Sequence, residues 1–122
     1  MKIEKFEDIQ AWQEARKMTN EVYKATHEIA FQRDRGLREQ IQNASVSVMA
    51  NIAEGFDRQS KKEFSKFLNY ASGSASEVQS HLYVALDQEY ISEDDFQKTY
   101  SQARKTKNLI NGFIAYLKGK KK

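Results

Sequence analysis

Residues 64–85 read Phe-Ser-Lys-Phe-Leu-Asn-Tyr-Ala-Ser-Gly-Ser-Ala-Ser-Glu-Val-Gln-Ser-His-Leu-Tyr-Val-Ala. Within them Phe64, Leu68, Ala71, Ala75, Val78, Leu82 and Ala85 recur at spacings of 4, 3, 4, 3, 4 and 3. This seven-residue repeat keeps one seam of a helix turned toward a partner in a left-handed bundle. Ser60 followed by Glu63 is a capping box that starts the helix, and Gln88-Glu89-Tyr90-Ile91 marks its end. Gly73 lies in the interior, where glycine costs about 1 kcal/mol relative to alanine. The repeat runs unbroken through Ala71–Ser76, so one continuous helix is expected, with the small side chains there for close approach of another backbone.

Upstream, Leu37, Ile41, Ala44 or Ser45, Val48 and Ile52 form a second apolar stripe, widened by Val46, Met49 and Ala53. Asp34 is its candidate N-cap. Gly55 stands where a left-handed residue past the helix end is wanted, since it has no Cβ to clash, and Phe56–Gln59 reads as the turn. A first helix is expected from about Glu7-Asp8 to Phe31, with Ile9, Trp12, Thr19, Val22, Thr26 and Ile29 on one face. A last one starts at the Ser92/Asp95 cap and follows Phe96, Tyr100, Ala103, Thr106, Ile110, Phe113 and Leu117. Four long helices with short connections predict an all-α fold, an antiparallel up-down-up-down four-helix bundle. A single domain is expected over residues 1–122, with 119–122 a frayed basic tail.

The absence of proline suits uninterrupted helices. The absence of cysteine excludes disulfides, thiolate metal sites and cysteine nucleophiles. No apolar run approaches the ~20 residues that cross a bilayer, and the opening Met1-Lys2-Ile3-Glu4-Lys5 lacks the apolar core of a signal peptide. The expected compartment is the cytoplasm, without membrane association. Net charge is +3, but it is unevenly spread. Residues 1–95 carry −5, whereas residues 96–122 carry +8 and no acid, through Lys98, Arg104, Lys105, Lys107, Lys118, Lys120, Lys121 and Lys122. Such asymmetry points to nucleic acid or another acidic surface, and these eight residues are the candidate nucleic-acid contacts.

Asn51-Ile52-Ala53-Glu54-Gly55, then Phe64, Phe67-Leu68, Ala71, Gly73-Ser74, Glu77 and Leu82 resemble the motif string of the bacterial four-helix-bundle family called S23 or 23S rRNA intervening-sequence proteins. Phe6-Glu7-Asp8, Trp12, Ala15, Val22-Tyr23 and Tyr90-Ile91 fit as well, so the resemblance covers about residues 4–118. It implies a cytoplasmic bundle that assembles as a ring-like homo-pentamer and has no established catalytic activity. Some members are encoded by intervening sequences inside 23S rRNA genes. A related branch comprises the accessory proteins of diversity-generating retroelements, in which a basic surface binds nucleic acid and the partner is a reverse transcriptase. The expected function is therefore a non-enzymatic homo-oligomer that binds RNA or DNA electrostatically. The alternative is a protein-interaction adaptor, such as a reverse-transcriptase accessory protein.

Asn51, Glu54, Gly55, Gly73 and Glu77 are expected to be structural, with Glu54 or Glu77 at a helix–helix contact beside Ser45 or Arg38, because a buried carboxylate requires partners. Glu77 and His81 share a helix face but lack the further ligands a metal needs, and His27 is expected at the surface. No phosphate loop, zinc-protease helix or serine elbow is present. No catalytic residue, cofactor or metal is expected. Phe67, Tyr70 and Tyr83 fall beside the seam. Base-stacking aromatics alternate with basic residues, and only Lys66 is close in sequence, so these three are the expected oligomer interface.

Overall fold

The computed structural model describes residues 2–119. A 3-10 turn at Phe6–Asp8 precedes five helices, α1 (Gln10–Ala25), α2 (Ile29–Arg33), α3 (Arg35–Asp57), α4 (Lys61–Asp87) and α5 (Glu93–Gly119), and the described residues contain no strand. The buried residues of α4 are Phe64, Leu68, Ala71, Ala75, Val78, Leu82 and Ala85, every member of the seven-residue repeat. In α3 they are Leu37, Ile41, Ala44, Ser45, Val48, Ile52 and Gly55. Val46, expected to widen that stripe, is exposed instead.

Side-chain oxygens start three of these helices. Asp34 Oδ1 accepts from the Leu37 N–H at 3.1 Å, Ser60 Oγ from Glu63 N–H at 3.2 Å and Ser92 Oγ from Asp95 N–H at 3.1 Å. Each satisfies an amide with no partner inside its own helix.

The α3–α4 junction departs from expectation. Gly55 is helical, α3 runs on to Asp57, and the left-handed residue in the turn is Gln59, with φ 57°. Gly55 is needed for proximity instead. A Cβ on it would lie 2.6 Å from Phe67 Cβ and 3.0 Å from Phe64 Cδ1. Gly73, expected to admit another backbone, does the reverse, since a Cβ there meets nothing within 4 Å. The close approach of α3 and α4 falls at Gly55.

The first expected helix is also divided. Glu7 and Asp8 lie in the 3-10 turn, and the chain leaves α-helical geometry after Ala25 to re-enter it at Ile29. Phe31 is nine residues beyond Val22, which at 100° per residue places it opposite Val22 on a continuous helix. The break turns Phe31 inward, fully buried with its ring 5.5 Å from that of Tyr90, and leaves Ile29 69% exposed. Burying the larger aromatic surface outweighs keeping the helix unbroken. Tyr90 Oη then donates to Asp34 Oδ2 at 3.0 Å, which ties the α4–α5 connection to the start of α3.

Helix α3 packs on α4, α4 on α5, α5 on α1 and α1 on α3, closing a ring around one core. The cross-helix contacts run in opposite directions for each pair. Phe56 meets Phe64 while Ser47 meets Ser74. Phe64 meets Phe113 while Tyr83 meets Phe96. Glu14 meets Gln102 while Glu21 meets Lys98. Met18, Val22, Ile41, Val48, Ile52, Leu68, Val78, Leu82 and Ile110 fill the centre with no exposure.

Candidate nucleic-acid interface

Helix α5 carries five of the eight candidate cations within the described residues, and Lys120, Lys121 and Lys122 lie outside them. Helical spacing divides the five between two edges. Lys98 and Lys105, seven apart, face α1, where Lys98 Nζ is 3.6 Å from Glu21 Oε1 and Lys105 Nζ is 3.6 Å from Glu14 Oε1. Tyr100, Arg104, Lys107, Asn111 and Lys118 follow at spacings of 4, 3, 4 and 7 along the α4-facing edge. Asn111 Oδ1 accepts from Ser72 Oγ of α4 at 2.9 Å, which fixes that edge against α4. Arg104, Lys107 and Lys118 form no ion pair among the described residues.

An aromatic cluster stands beside Arg104. Tyr83 of α4 is 5.0 Å from Phe96 and 5.5 Å from Tyr100, centroid to centroid, and the Arg104 guanidinium lies 5.6 Å from the Tyr100 centroid. That is cation–π range. The hydrogen bond and charge interaction with Tyr100, and then burial, raise the Tyr83 pKa above its ordinary value against the opposing Arg104 charge. The basic neighbour of Tyr83 is thus Arg104, distant in sequence and brought in by the α4–α5 crossing.

On the other edge of α5, Glu14 is the charged group that the sequence did not single out. It is 5% exposed, and its Oε1 accepts from Gln102 Nε2 at 2.8 Å while Lys17 Nζ donates to Oε2 at 3.1 Å. The Gln102 amide also donates to the Glu14 carbonyl at 3.0 Å. The Gln102 hydrogen bond, then those of Lys17 and the Lys105 charge, hold the carboxyl below its ordinary pKa against the opposing effect of burial. The signal was available. Ala11, Glu14, Ala15, Met18, Val22 and Ala25 are the buried face of α1, and Glu14 lies inside that pattern.

A pH dependence follows from the sign of this shift. A carboxyl with a depressed folded-state pKa contributes stability above its unfolded value of about 4.3, and loses it as pH falls through the folded value. Glu14→Gln is expected to be less stable than wild type by about 1–2 kcal/mol at neutral pH, with the gap closing under acid conditions. Asp8 and Glu39, also shifted downward, are common to both proteins. Urea midpoints at about pH 6 and about pH 3 measure the difference. A gap of equal size at both would remove the charge from the explanation.

The motif side chains line the outer α3–α4 edge. Asn51 Nδ2 donates to the Ser47 carbonyl at 2.9 Å and to Ser47 Oγ at 3.0 Å, and the Ser47 and Ser74 hydroxyls are 3.1 Å apart. Glu54 and Glu77 are surface groups, contrary to their expected place at a helix contact. Glu54 Oε2 accepts from Arg58 at 3.0 Å and Glu77 Oε2 is 3.3 Å from His81 Nε2. Ser45 Oγ donates to the Gln42 carbonyl instead. The cause is register, since α3 and α4 pack through Ile52, Gly55, Phe64 and Leu68 and leave both carboxylates half open.

The three interface aromatics do not share one surface. Phe67 lies under the Arg58 guanidinium at 4.9 Å and beside Tyr70 at 5.7 Å, on the α3 side of α4. Tyr83 belongs to the α5 side. His27 is exposed, its Nδ1 2.7 Å from the Tyr23 carbonyl oxygen. Among the described residues no group of three or more His, Asp or Glu is placed to hold a metal ion, and no helix is long and apolar enough to cross a membrane. A cleft of about 330 Å³ at the α3–α4 turn carries Glu4 and Asp57 beside Lys61, a poor match for phosphate.

The family model for the 23S rRNA-intervening sequence protein matches residues 7–112. No curated protein matches the chain. Among solved structures, a protein of unknown function from the S23 ribosomal protein family of Bacteroides thetaiotaomicron is similar in fold, with a TM-score of 0.79 at 21% identity. The alignment covers 85% of this chain and 97% of that one.

Proposed function

The chain belongs to the 23S rRNA-intervening sequence protein family, and from that premise we propose that it is a non-enzymatic, cytoplasmic, homo-oligomeric bundle that binds RNA or DNA through helix α5. The observation that carries this is the contrast between the two edges of α5. Lys98 and Lys105 are engaged by Glu21 and Glu14, whereas Arg104, Lys107 and Lys118 have no carboxylate partner among the described residues, and Arg104 stands over Tyr100, which in turn packs on Tyr83. Phosphate oxygens supply the missing anion, and binding releases counterions from the nucleic acid. Several copies on one strand add their contributions wherever the strand reaches more than one site. The half-exposed Tyr70 beside Phe67 is the surface proposed to join copies, with a homo-pentamer as the expected assembly.

The test is titration of labelled RNA and DNA over a range of salt. Arg104→Glu with Lys107→Glu is expected to weaken binding at low salt and to make the slope of log K against log salt shallower by about 1.4 on single strands or about 1.8 on duplex. Reversal at Lys105 is less informative, because it sets a second carboxylate against Glu14 and disturbs the fold. Light scattering of the same samples gives copy number. Salt-independent binding, equal in wild type and variant, rejects the α5 site. A species of 14.2 kDa at high concentration removes the oligomer. A protein-interaction adaptor, with a reverse transcriptase as its partner, is the second reading. It is favoured by the α3–α4 edge, where Asn51, Glu54, Phe67, Tyr70 and Glu77 lie away from the basic edge of α5.

A further inference from the structure

Resting on the nucleic-acid reading of α5, we infer that the α4–α5 edge takes an unpaired strand, with one base stacked on Tyr83 and neighbouring phosphates held by Arg104 and Lys107. Tyr83 is 50% exposed, yet Phe96 and Tyr100 brace its ring at 5.0 and 5.5 Å. A ring fixed by neighbours and open to solvent is a stacking platform that loses little freedom when a base arrives. Every base has a π-face, so such a platform tolerates any sequence. A duplex keeps its base faces inside its own stack and would reach only the cations.

Charge sets the direction of the strand. Asp87 lies one helical turn beyond Tyr83 on α4, and Glu93, Asp94 and Asp95 load the first turn of α5. These acids repel phosphates from the end of the edge nearest Tyr83. From Tyr83 the strand therefore runs past Arg104 and Lys107, about 4.5 Å apart in helix rise, and on toward Lys118. Tyr100 links the two functions, since it contacts Tyr83 on one side and carries the Arg104 guanidinium on the other.

The test compares labelled oligouridine, oligothymidine and a mixed-sequence duplex on wild type, Tyr83→Leu and Tyr83→Phe. Tyr83→Leu is expected to weaken both single strands about 5- to 100-fold and leave the duplex unchanged, while Tyr83→Phe binds like wild type. A 2-aminopurine placed in the strand is expected to be quenched by wild type and by Tyr83→Phe, and this readout stands even if Tyr83→Leu folds poorly. Equal losses on single strand and duplex, or an unquenched 2-aminopurine in a bound wild-type complex, overturn the stacking site and leave the electrostatic reading in place. Failure of wild type to bind any of the three at low salt removes both.

Discussion

Leu82→Ala is expected to destabilise the bundle by about 2–5 kcal/mol, seen as a lower urea midpoint with an unchanged slope. Leu82 is fully buried in α4, one position of a seam whose other members include Ala75, Val78 and Ala85. Three of its seam neighbours are therefore already small or β-branched. Little side-chain volume is available nearby to collapse into the space left by the leucine, so most of the cavity cost should persist. A loss below roughly 0.5 kcal/mol is typical of a surface site and would place Leu82 outside the core.

Two glycines in the same helical pair are expected to respond to alanine with opposite signs. Alanine gains about 1 kcal/mol over glycine in a helix interior, and at Gly73, where the added methyl meets nothing, that gain should appear in full. At Gly55 the new Cβ would lie 2.6 Å from Phe67 Cβ, an atom tied directly to the α4 backbone. Rotating a side chain cannot relieve the contact, so α3 and α4 must separate. Gly55→Ala is expected to cost about 1–3 kcal/mol despite the better helix former. Thermal or urea unfolding of the two variants checks the pair. Stabilisation by both would show that the α3–α4 contact yields easily.

The difference between these glycines bears on what was legible in the sequence. The seam of α4 was read residue for residue, because a 4-3 repeat over 22 residues has one phase that buries it. Helix α3 was read nearly as well. Helix α1 was read only in part. Of the expected face, Ile9, Val22 and Thr26 are buried, Trp12 and Thr19 are half-buried and Ile29 is exposed, while Ala11, Ala15 and Met18 supply the rest of the buried stripe. Small alanines carry less apolar signal than tryptophan or tyrosine, yet they permit the closer helix contact. The break before Ile29 was hidden because Ile29 continues the period that Phe31 violates.

The candidate site was half legible for a different reason. Charge asymmetry singled out α5, but a count of lysines does not tell which already have acids across a helix contact. Glu14 and Glu21 lie more than 75 residues before their α5 partners, and only the α1–α5 crossing joins them. The same holds for Arg104 and Tyr83. Side chains from separate helices form these features, whereas Gly55 was nominated locally and its role proved to be contact across helices.

The ring of helices also dictates an order of assembly during synthesis. Helices α3 and α4 are separated by Arg58, Gln59 and Ser60 alone, so their pairing closes a short loop and can form while the chain is still growing. The α1–α5 contact instead joins Glu14 to Gln102 across 88 residues and must wait for the last helix to leave the ribosome. Until then Ala11, Met18 and Val22 have α3 on one side and no α5 on the other, and the Glu14 carboxylate lacks its amide. A nascent chain halted before α5 thus presents an open apolar seam at its N-terminus, the kind of surface that chaperones bind and that aggregation exploits.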